Sequence, residues 1–206
     1  MTKTAVVDYG LGNLGSVVAA IRFLGHELFV ASDAETIASY DSLILPGVGS
    51  YTLAMNEIRS RGLGEAITQA VTAGKSRILG ICLGMQLLAD FGEEGGGSPG
   101  LGLVPGVVAK FERSEKDRSD LHIGFAGVTV ESEGKLMKSL PSTTDFYFVH
   151  EYRLSLKDFD SSWRIGVSDF GERFVSLVER ENVMGVQFHP EKSQTNGLRV
   201  LANFLE

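Results

Sequence analysis

The sequence has one cysteine in 206 residues, fewer basic than acidic side chains (19 Lys and Arg against 26 Asp and Glu), and no apolar run as long as a membrane span. Each scarcity excludes something. A lone Cys82 can form no internal disulfide, which fits a reducing compartment. A formal net charge of −7, with no cluster of Lys or Arg, argues against a nucleic-acid groove. With no spanning segment, and no signal-peptide layout in Met1-Thr-Lys-Thr-Ala-Val-Val7, the chain reads as cytoplasmic and without a membrane partner. What is present is ordinary for a folded protein: 43% hydrophobic and 22% charged residues. The length suits one domain, residues 1–206, with a substantial core.

The strongest local signal surrounds the cysteine. An apolar, strand-like run (Ile78, Leu79, Ile81) reaches Cys82, with Gly80 and Gly84 two positions to either side. Leu83, Leu87 and Leu88 follow at helical spacing. Gly-x-nucleophile-x-Gly is the pattern of a nucleophile elbow, a sharp strand-to-helix turn in which small neighbours let the backbone pass closely. A helix N-terminus after the turn favours the thiolate. Taken alone, Cys82 fits equally well as a buried small hydrophobe.

Near the C-terminus, Gly185-Val-Gln-Phe-His-Pro-Glu-Lys-Ser193 supplies a partner. His189 and Glu191 are two apart, so an extended segment would point both side chains the same way, and Pro190 disfavours helix at His189. A carboxylate beside an imidazole fixes its tautomer and stabilises the imidazolium. Singly, this is a surface turn; with a cysteine on an elbow it is a nucleophile, base and orienting acid.

In order along the chain, Ala5–Val7 reads as a buried strand, followed by a loop with Gly10, Gly12 and Gly15. That loop could cradle a phosphate, but Gly-x-Gly-x-x-Gly alone is weak evidence. The nearby acidic pair, Asp33 and Glu35, is explained by a capping box from Ser32 to Glu35. Val17, Val18, Ile21 and Leu24 form one side of a helix closed by Gly25. Strands are expected over Leu28–Val30 and Ser42–Leu45, with a short helix over Glu35–Ser39 between them. Pro46–Gly49 then makes a turn at a strand's C-terminal end, where backbone N–H groups could face a developing oxyanion. Helices follow over Leu53–Ser60 and Gly64–Ala73. This alternation predicts an α/β fold with a doubly wound, mostly parallel sheet and helices on both faces.

After Gly92 the character changes. Glu93–Gly100 reads as a flexible surface loop and Glu112–Asp120 as a charged, solvated loop. Strands are expected over Gly106–Phe111, Gly127–Glu131, Asp145–Tyr152, Arg164–Ser168, Phe174–Glu179 and Val183–Phe188, making an antiparallel, β-rich C-terminal half. The last two are joined by a turn at Arg180–Asn182 that delivers His189. A closing helix carries Leu198, Leu201, Ala202 and Leu205. Thiol, imidazole, carboxylate and glycine turn together describe an acyl-transfer site working through a thioester. They do not say which acyl group.

Gly80-Ile-Cys-Leu-Gly-Met-Gln86 with Gln187-Phe-His-Pro-Glu191 closely resembles the class I, triad-type glutamine amidotransferases. Asp8-Tyr-Gly10 with Gly12-Asn-Leu14, Leu45-Pro-Gly-Val-Gly49, Tyr147-Phe-Val-His150 and Gly185–Ser193 narrow the resemblance to the glutaminase subunits of imidazole glycerol phosphate synthases, in the same order along the whole chain. The resemblance implies a flavodoxin-like fold and no cofactor or metal. It implies that Cys82 attacks the carboxamide of glutamine, with His189 as base and Glu191 orienting it. The Leu83 amide and an amide of the Val48–Gly49 turn would form the oxyanion hole. Gly49, Gln86 and the backbone at Glu151 and Tyr152 would hold the substrate. Ammonia would pass to a (β/α)8-barrel cyclase partner that makes imidazole glycerol phosphate and an aminoimidazole carboxamide ribotide in histidine biosynthesis. Asn13, Tyr147 and Lys192 would lie at that partner's face. The oxyanion turn would be a switch, because activity in the family is weak until the partner binds its nucleotide.

The chain departs from the family at three places. Phe125-Ala126 replaces the usual Trp-Asn, losing an indole donor and an amide. Glu151 stands where Ser or Thr is usual, adding charge beside the glutamine site unless it turns outward. Gly15 replaces a frequent second Asn. These leave open a paralogue serving another synthase, such as one amidating a surface sugar. A stand-alone γ-glutamyl thiol hydrolase and a non-catalytic regulatory relic are the other readings.

Overall fold

The protein is described from a computed structural model covering residues 3–112, 120–131 and 133–206. Most of the charged stretch Glu112–Asp120 lies outside the described residues.

The N-terminal half alternates short strands and helices: β1 (Thr4–Val7), α1 (Leu14–Phe23), β2 (Phe29–Ala31), α2 (Ala34–Ile37), β3 (Ser42–Gly47), α3 (Tyr51–Ser60), α4 (Leu63–Thr72), β4 (Arg77–Cys82) and α5 (Leu83–Leu87). Then come β5 (Phe91–Gly92), β6 (Ser98–Pro99), β7 (Val107–Lys110), β8 (His122–Val130), β9 (Thr143–His150), β10 (Tyr152–Leu154), β11 (Arg164–Phe170), β12 (Glu172–Arg180), β13 (Val183–Val186) and α6 (Gln194–Leu205). Strands β2-β1-β3-β4-β13 are parallel neighbours. From β13 the sheet continues antiparallel through β12 and β10 to β7. β11 joins β12 to β8, and β9 closes on β8. The fold is flavodoxin-like, a mixed sheet that is parallel in its first part and antiparallel in its C-terminal half.

Period-two alternation sorts the parallel strands between two cores. Ala5, Val7, Leu43, Leu45 and Ile78 face α3 and α4, whereas Val6, Ile44, Leu79 and Ile81 face α1 and α6. The sheet is therefore covered on both faces, as an all-parallel segment requires.

Several local expectations change. The cap of α2 is Asp33, whose carboxylate accepts from the Thr36 N–H at 2.8 Å and its hydroxyl at 2.7 Å; the Ser32–Glu35 box is displaced by one residue. Residues 93–100 are not a free loop. Glu94–Gly96 forms a 3-10 turn, β5 pairs with β6, and Arg59 donates to Ser98 Oγ (2.9 Å) and to the Pro99 carbonyl. The strand expected over Asp145–Tyr152 is interrupted at Glu151, giving β9 and β10, and β8 begins at His122 rather than Gly127. Among the described residues, no helix is long and apolar enough to cross a membrane.

Candidate active site

Three neighbouring parallel strands end together. β3 runs into the turn at Val48 and Gly49, β4 ends on Cys82, and β13 leads through Gln187 and Phe188 to His189. The register pairs Gly47 with Cys82 and Val186 with Ile81. The C-terminal edge of such a sheet is where loops converge on ligands.

Cys82 sits at φ 54°, ψ −112°, a left-handed backbone that a non-glycine residue adopts only under constraint. The constraint is close packing. A Cβ on Gly84 would lie 1.7 Å from the Leu45 carbonyl oxygen, and one on Gly80 would lie 2.6 Å from the Met85 backbone. Both flanking positions therefore require glycine, and the elbow presses against β3. The helix after it is shorter than the sequence suggests: α5 has five residues, all buried.

The sulfur borders a cavity of about 490 Å³ lined by Val48, Gly49, Leu83, Gln86, Glu151, Tyr152 and His189, among others. His189 Nδ1 lies 2.8 Å from Glu191 Oε1, with both side chains 3% exposed. His189 Nε2 makes no hydrogen bond of good geometry among the described residues, and the Cys82 sulfur is the group that acts on it. The two side chains do not meet through strand alternation. His189 is extended, but Pro190–Lys192 is a 3-10 turn that curls the carboxylate back beneath the ring. The His189 N–H donates to the Tyr147 carbonyl (2.8 Å), while Ser193 Oγ donates to the His189 carbonyl (2.6 Å) and accepts from the Tyr147 N–H (2.9 Å). Strand β9 thus clamps the histidine backbone from both sides.

Burial, the largest single influence on His189, pushes the imidazole down. Hydrogen bonding and charge from Cys82 and Glu191 outweigh it and raise the ring to about 10. A charged imidazolium between sulfur and carboxylate is the state this geometry favours.

A family model for glutamine amidotransferase class-I matches residues 5–206. The chain belongs to the class I glutamine amidotransferases. It is 43% identical over 205 residues to the imidazole glycerol phosphate synthase subunit HisH of Symbiobacterium thermophilum, covering 99% of this chain and 93% of that one. It is 37% identical to the protein of Nitrobacter winogradskyi named imidazole glycerol phosphate synthase subunit HisH 2, covering 100% and 99%. Among solved structures, the one titled PurLQS from Thermotoga maritima superposes with a TM-score of 0.76 at 21% identity, covering 100% and 98%, a likeness of fold.

In this amidotransferase the expected site residues fall in two groups. Those named for catalysis, oxyanion and substrate share the 490 Å³ cavity, except Glu191, which reaches it through His189. Asn13 and Lys192 line a second cavity of about 210 Å³ with Val48, His189 and Glu191. The Lys192 ammonium stands 5.9 Å from the Tyr147 ring, and Phe125 meets that ring edge-on at 5.6 Å. His189 is thus a wall between the two cavities.

Two expected contacts are redrawn. The Gln86 Nε2 group donates to the Tyr152 carbonyl (2.8 Å) and to Gln187 Oε1 (3.0 Å), so both its hydrogens are used and it can offer a ligand only an acceptor oxygen. The Glu151 side chain turns outward, 3.6 Å from the Lys110 ammonium, and its charge does not enter the glutamine end of the cavity as a free carboxylate.

The sequence reading missed Glu94. Its carboxylate caps α3 by accepting from the Tyr51 N–H at 2.7 Å, and the residue lines the same cavity as Cys82. It also missed Tyr9, fully buried under the oxyanion strand, whose hydroxyl donates to the Pro46 carbonyl at 3.0 Å. Burial, then the charges of Cys82 and Asp8, push its phenol far above the usual range, so it is a neutral donor.

Proposed function

We propose that this protein is the glutaminase subunit of an imidazole glycerol phosphate synthase, releasing ammonia from glutamine for a (β/α)8-barrel cyclase partner in the cytoplasm. The observation that carries this reading is the meeting of Cys82, the His189–Glu191 pair and the Gly49 turn at the ends of three adjacent strands.

The proton of Cys82 rests on His189 Nε2, in the imidazolium that the site favours, and the thiolate attacks the glutamine carboxamide carbon. The oxygen of the tetrahedral intermediate takes hydrogen bonds from the Leu83 and Gly49 amides. The first N–H of a helix has no intrahelical acceptor, so that of Leu83 is available. Collapse breaks the C–N bond. His189 Nε2–H protonates the leaving nitrogen, ammonia departs, and a glutamyl thioester remains. Water then attacks, returning its proton through His189, and glutamate leaves as the thiolate re-forms. Glu191 holds Nδ1–H throughout. Glu94 and the Gln86 oxygen are acceptors suited to the α-ammonium of the substrate.

Gly49, at φ +102°, carries a backbone conformation open to rotation, which suits a turn that arms the site on partner binding. In this reading ammonia passes toward the partner through the cavity behind His189, rimmed by Asn13 and Lys192, and the partner meets Tyr147, whose ring lies beside Lys192, and the exposed Phe125. Phe125, where the family carries Trp, supports a second reading: a paralogue feeding a different synthase.

The test is glutamate release by the purified chain, alone and with a barrel cyclase carrying its nucleotide. Low activity alone and a rise of several orders of magnitude with the liganded partner is the expected result. Full activity alone would point to a free-standing hydrolase instead.

A further inference from the structure

Gln187 is fully buried and carries no charge to pair. A buried amide without partners costs more than a methionine of similar size, so its contacts explain its presence. They form a chain. The Tyr152 carbonyl can only accept. It takes hydrogen bonds from Gln86 Nε2 (2.8 Å) and from His150 Nδ1 (2.8 Å). Because the carbonyl fixes Gln86 with nitrogen inward, the second hydrogen of that nitrogen meets Gln187 Oε1 at 3.0 Å. Gln187 is therefore oriented with its own Nε2 toward the Cys82 sulfur, 3.7 Å away. The direction of every donor follows from one backbone carbonyl, not from a free choice of amide orientation.

Besides Gln187 and His189, the Val149 carbonyl stands near the sulfur, at 3.9 Å. It accepts from the thiol but only repels the thiolate. When Cys82 loses its proton, Gln187 Nε2–H is the neutral donor that remains beside it. Register explains the placement: one step beyond the Val186–Ile81 pair, Gln187 is level with Cys82 on the adjacent parallel strand.

We propose that Gln187 is a catalytic residue of this site, whose amide N–H, aimed by Gln86 and the Tyr152 carbonyl, holds and stabilises the Cys82 thiolate. This deepens the glutaminase reading and rests on it for its place in turnover, though not for the contact itself.

The test uses iodoacetamide on the full chain. Cys82 is the only thiol, so alkylation reports on it alone. The thiolate displaces iodide as the C–S bond forms and the C–I bond breaks, and neither glutamine nor a partner is needed. Gln187→Met keeps the volume and removes the donor. The expected result is alkylation about tenfold slower at neutral pH, with the rate-against-pH profile displaced to the alkaline side. A similar loss in kcat for glutamine, with KM little changed, should accompany it. In a His189→Asn background the slowing should persist, because the amide acts on sulfur directly. An unchanged profile, or an effect that vanishes without His189, would overturn the proposal. Should Gln187→Met fail to fold, Gln86→Met releases the amide from its anchor. Slowing of about threefold would then support the proposal, and no change would overturn it. A wild-type chain that alkylates normally but releases no glutamate with its partner would sink the glutaminase reading and leave the alkylation comparison standing.

Discussion

The Cys82 sulfur interacts with two unlike sets of groups. On one side His189 and Glu191 come from a single turn, are ionic in character, and hold the imidazole well above its ordinary range. On the other, Gln187, Gln86, the Tyr152 carbonyl, His150 and His122 form a neutral chain drawn from five elements or connections. There burial, the leading cause in both rings, pushes His122 down to about 4 and His150 down to about 3. Two imidazoles bordering one cavity, His150 and His189, are thus held in opposite charge states. The difference lies in their partners. His189 faces a carboxylate and a thiol, whereas His150 faces a carbonyl, a second imidazole and the rings of Phe111, Phe148 and Phe174.

The largest effect should come from removing the ionic side. His189→Asn is expected to lower kcat for glutamine by about 10⁴-fold, and to lower the melting temperature as well, because the buried Glu191 carboxylate loses its partner. Steady-state kinetics with the liganded partner, beside a thermal melt, checks it. A loss below tenfold would assign the proton transfers to another group.

Next is a change that moves the sulfur relative to both sides at once. Gly84→Ala drives a methyl into the Leu45 carbonyl, a backbone atom that has no rotamer to yield. Destabilisation of about 3–5 kcal/mol is expected, measured by denaturant unfolding. A smaller value would mean that β3 and β4 separate easily.

Glu191→Gln should cost about 10²- to 10⁴-fold in kcat, through the orientation and charge of His189. It should also change the alkaline limb of stability. Because the folded pKa of His189 is raised, its contribution is full below about pH 6.5 and is lost as pH rises through about 10. Wild type should therefore lose melting temperature over that window. Glu191→Gln should lose less, since one of the two groups that raise the ring is gone. Equal slopes would remove Glu191 from the account.

What the sequence made legible follows from how local each feature is. Gly80, Cys82 and Gly84 were readable because an elbow needs small neighbours at fixed spacing, and His189 and Glu191 because two residues separate them. Glu94 was not, since a glycine-rich stretch reads as loop and its purpose depends on the Tyr51 N–H, 43 positions away. Gln187 stood inside a recognised motif, yet its contact with sulfur depends on the β13–β4 register. The cap of α2 slipped by one residue because Ser32 and Asp33 are both good caps and only the backbone turn chooses between them. The strand after Asp145 reads as continuous because nothing in Val149–Tyr152 signals the break at Glu151.

The smallest effect tests the neutral side. His122 donates from Nδ1 to His150 Nε2 at 3.1 Å, because His150 must use its Nδ1–H on the Tyr152 carbonyl. The His122 ring is stacked between Phe148 (4.7 Å) and Phe170 (4.6 Å), so phenylalanine fits its shape. His122→Phe leaves one buried acceptor unpaired, a cost of about 1 kcal/mol partly offset by the apolar fit. The clearer reading is in acid. Both rings have folded pKa values below the ordinary imidazole value, so the unfolded chain takes up protons first. The native state should lose stability as pH falls from about 6.5 toward about 4. Wild type should melt lower at pH 5 than at pH 7, and His122→Phe should show a smaller drop, since one of the two reluctant imidazoles is absent. Glutamine turnover should fall only severalfold, because Gln86 still orients Gln187. If the acid-induced drop is the same in both proteins, burial of His122 does not govern the acid limb, and His150 alone would have to account for it.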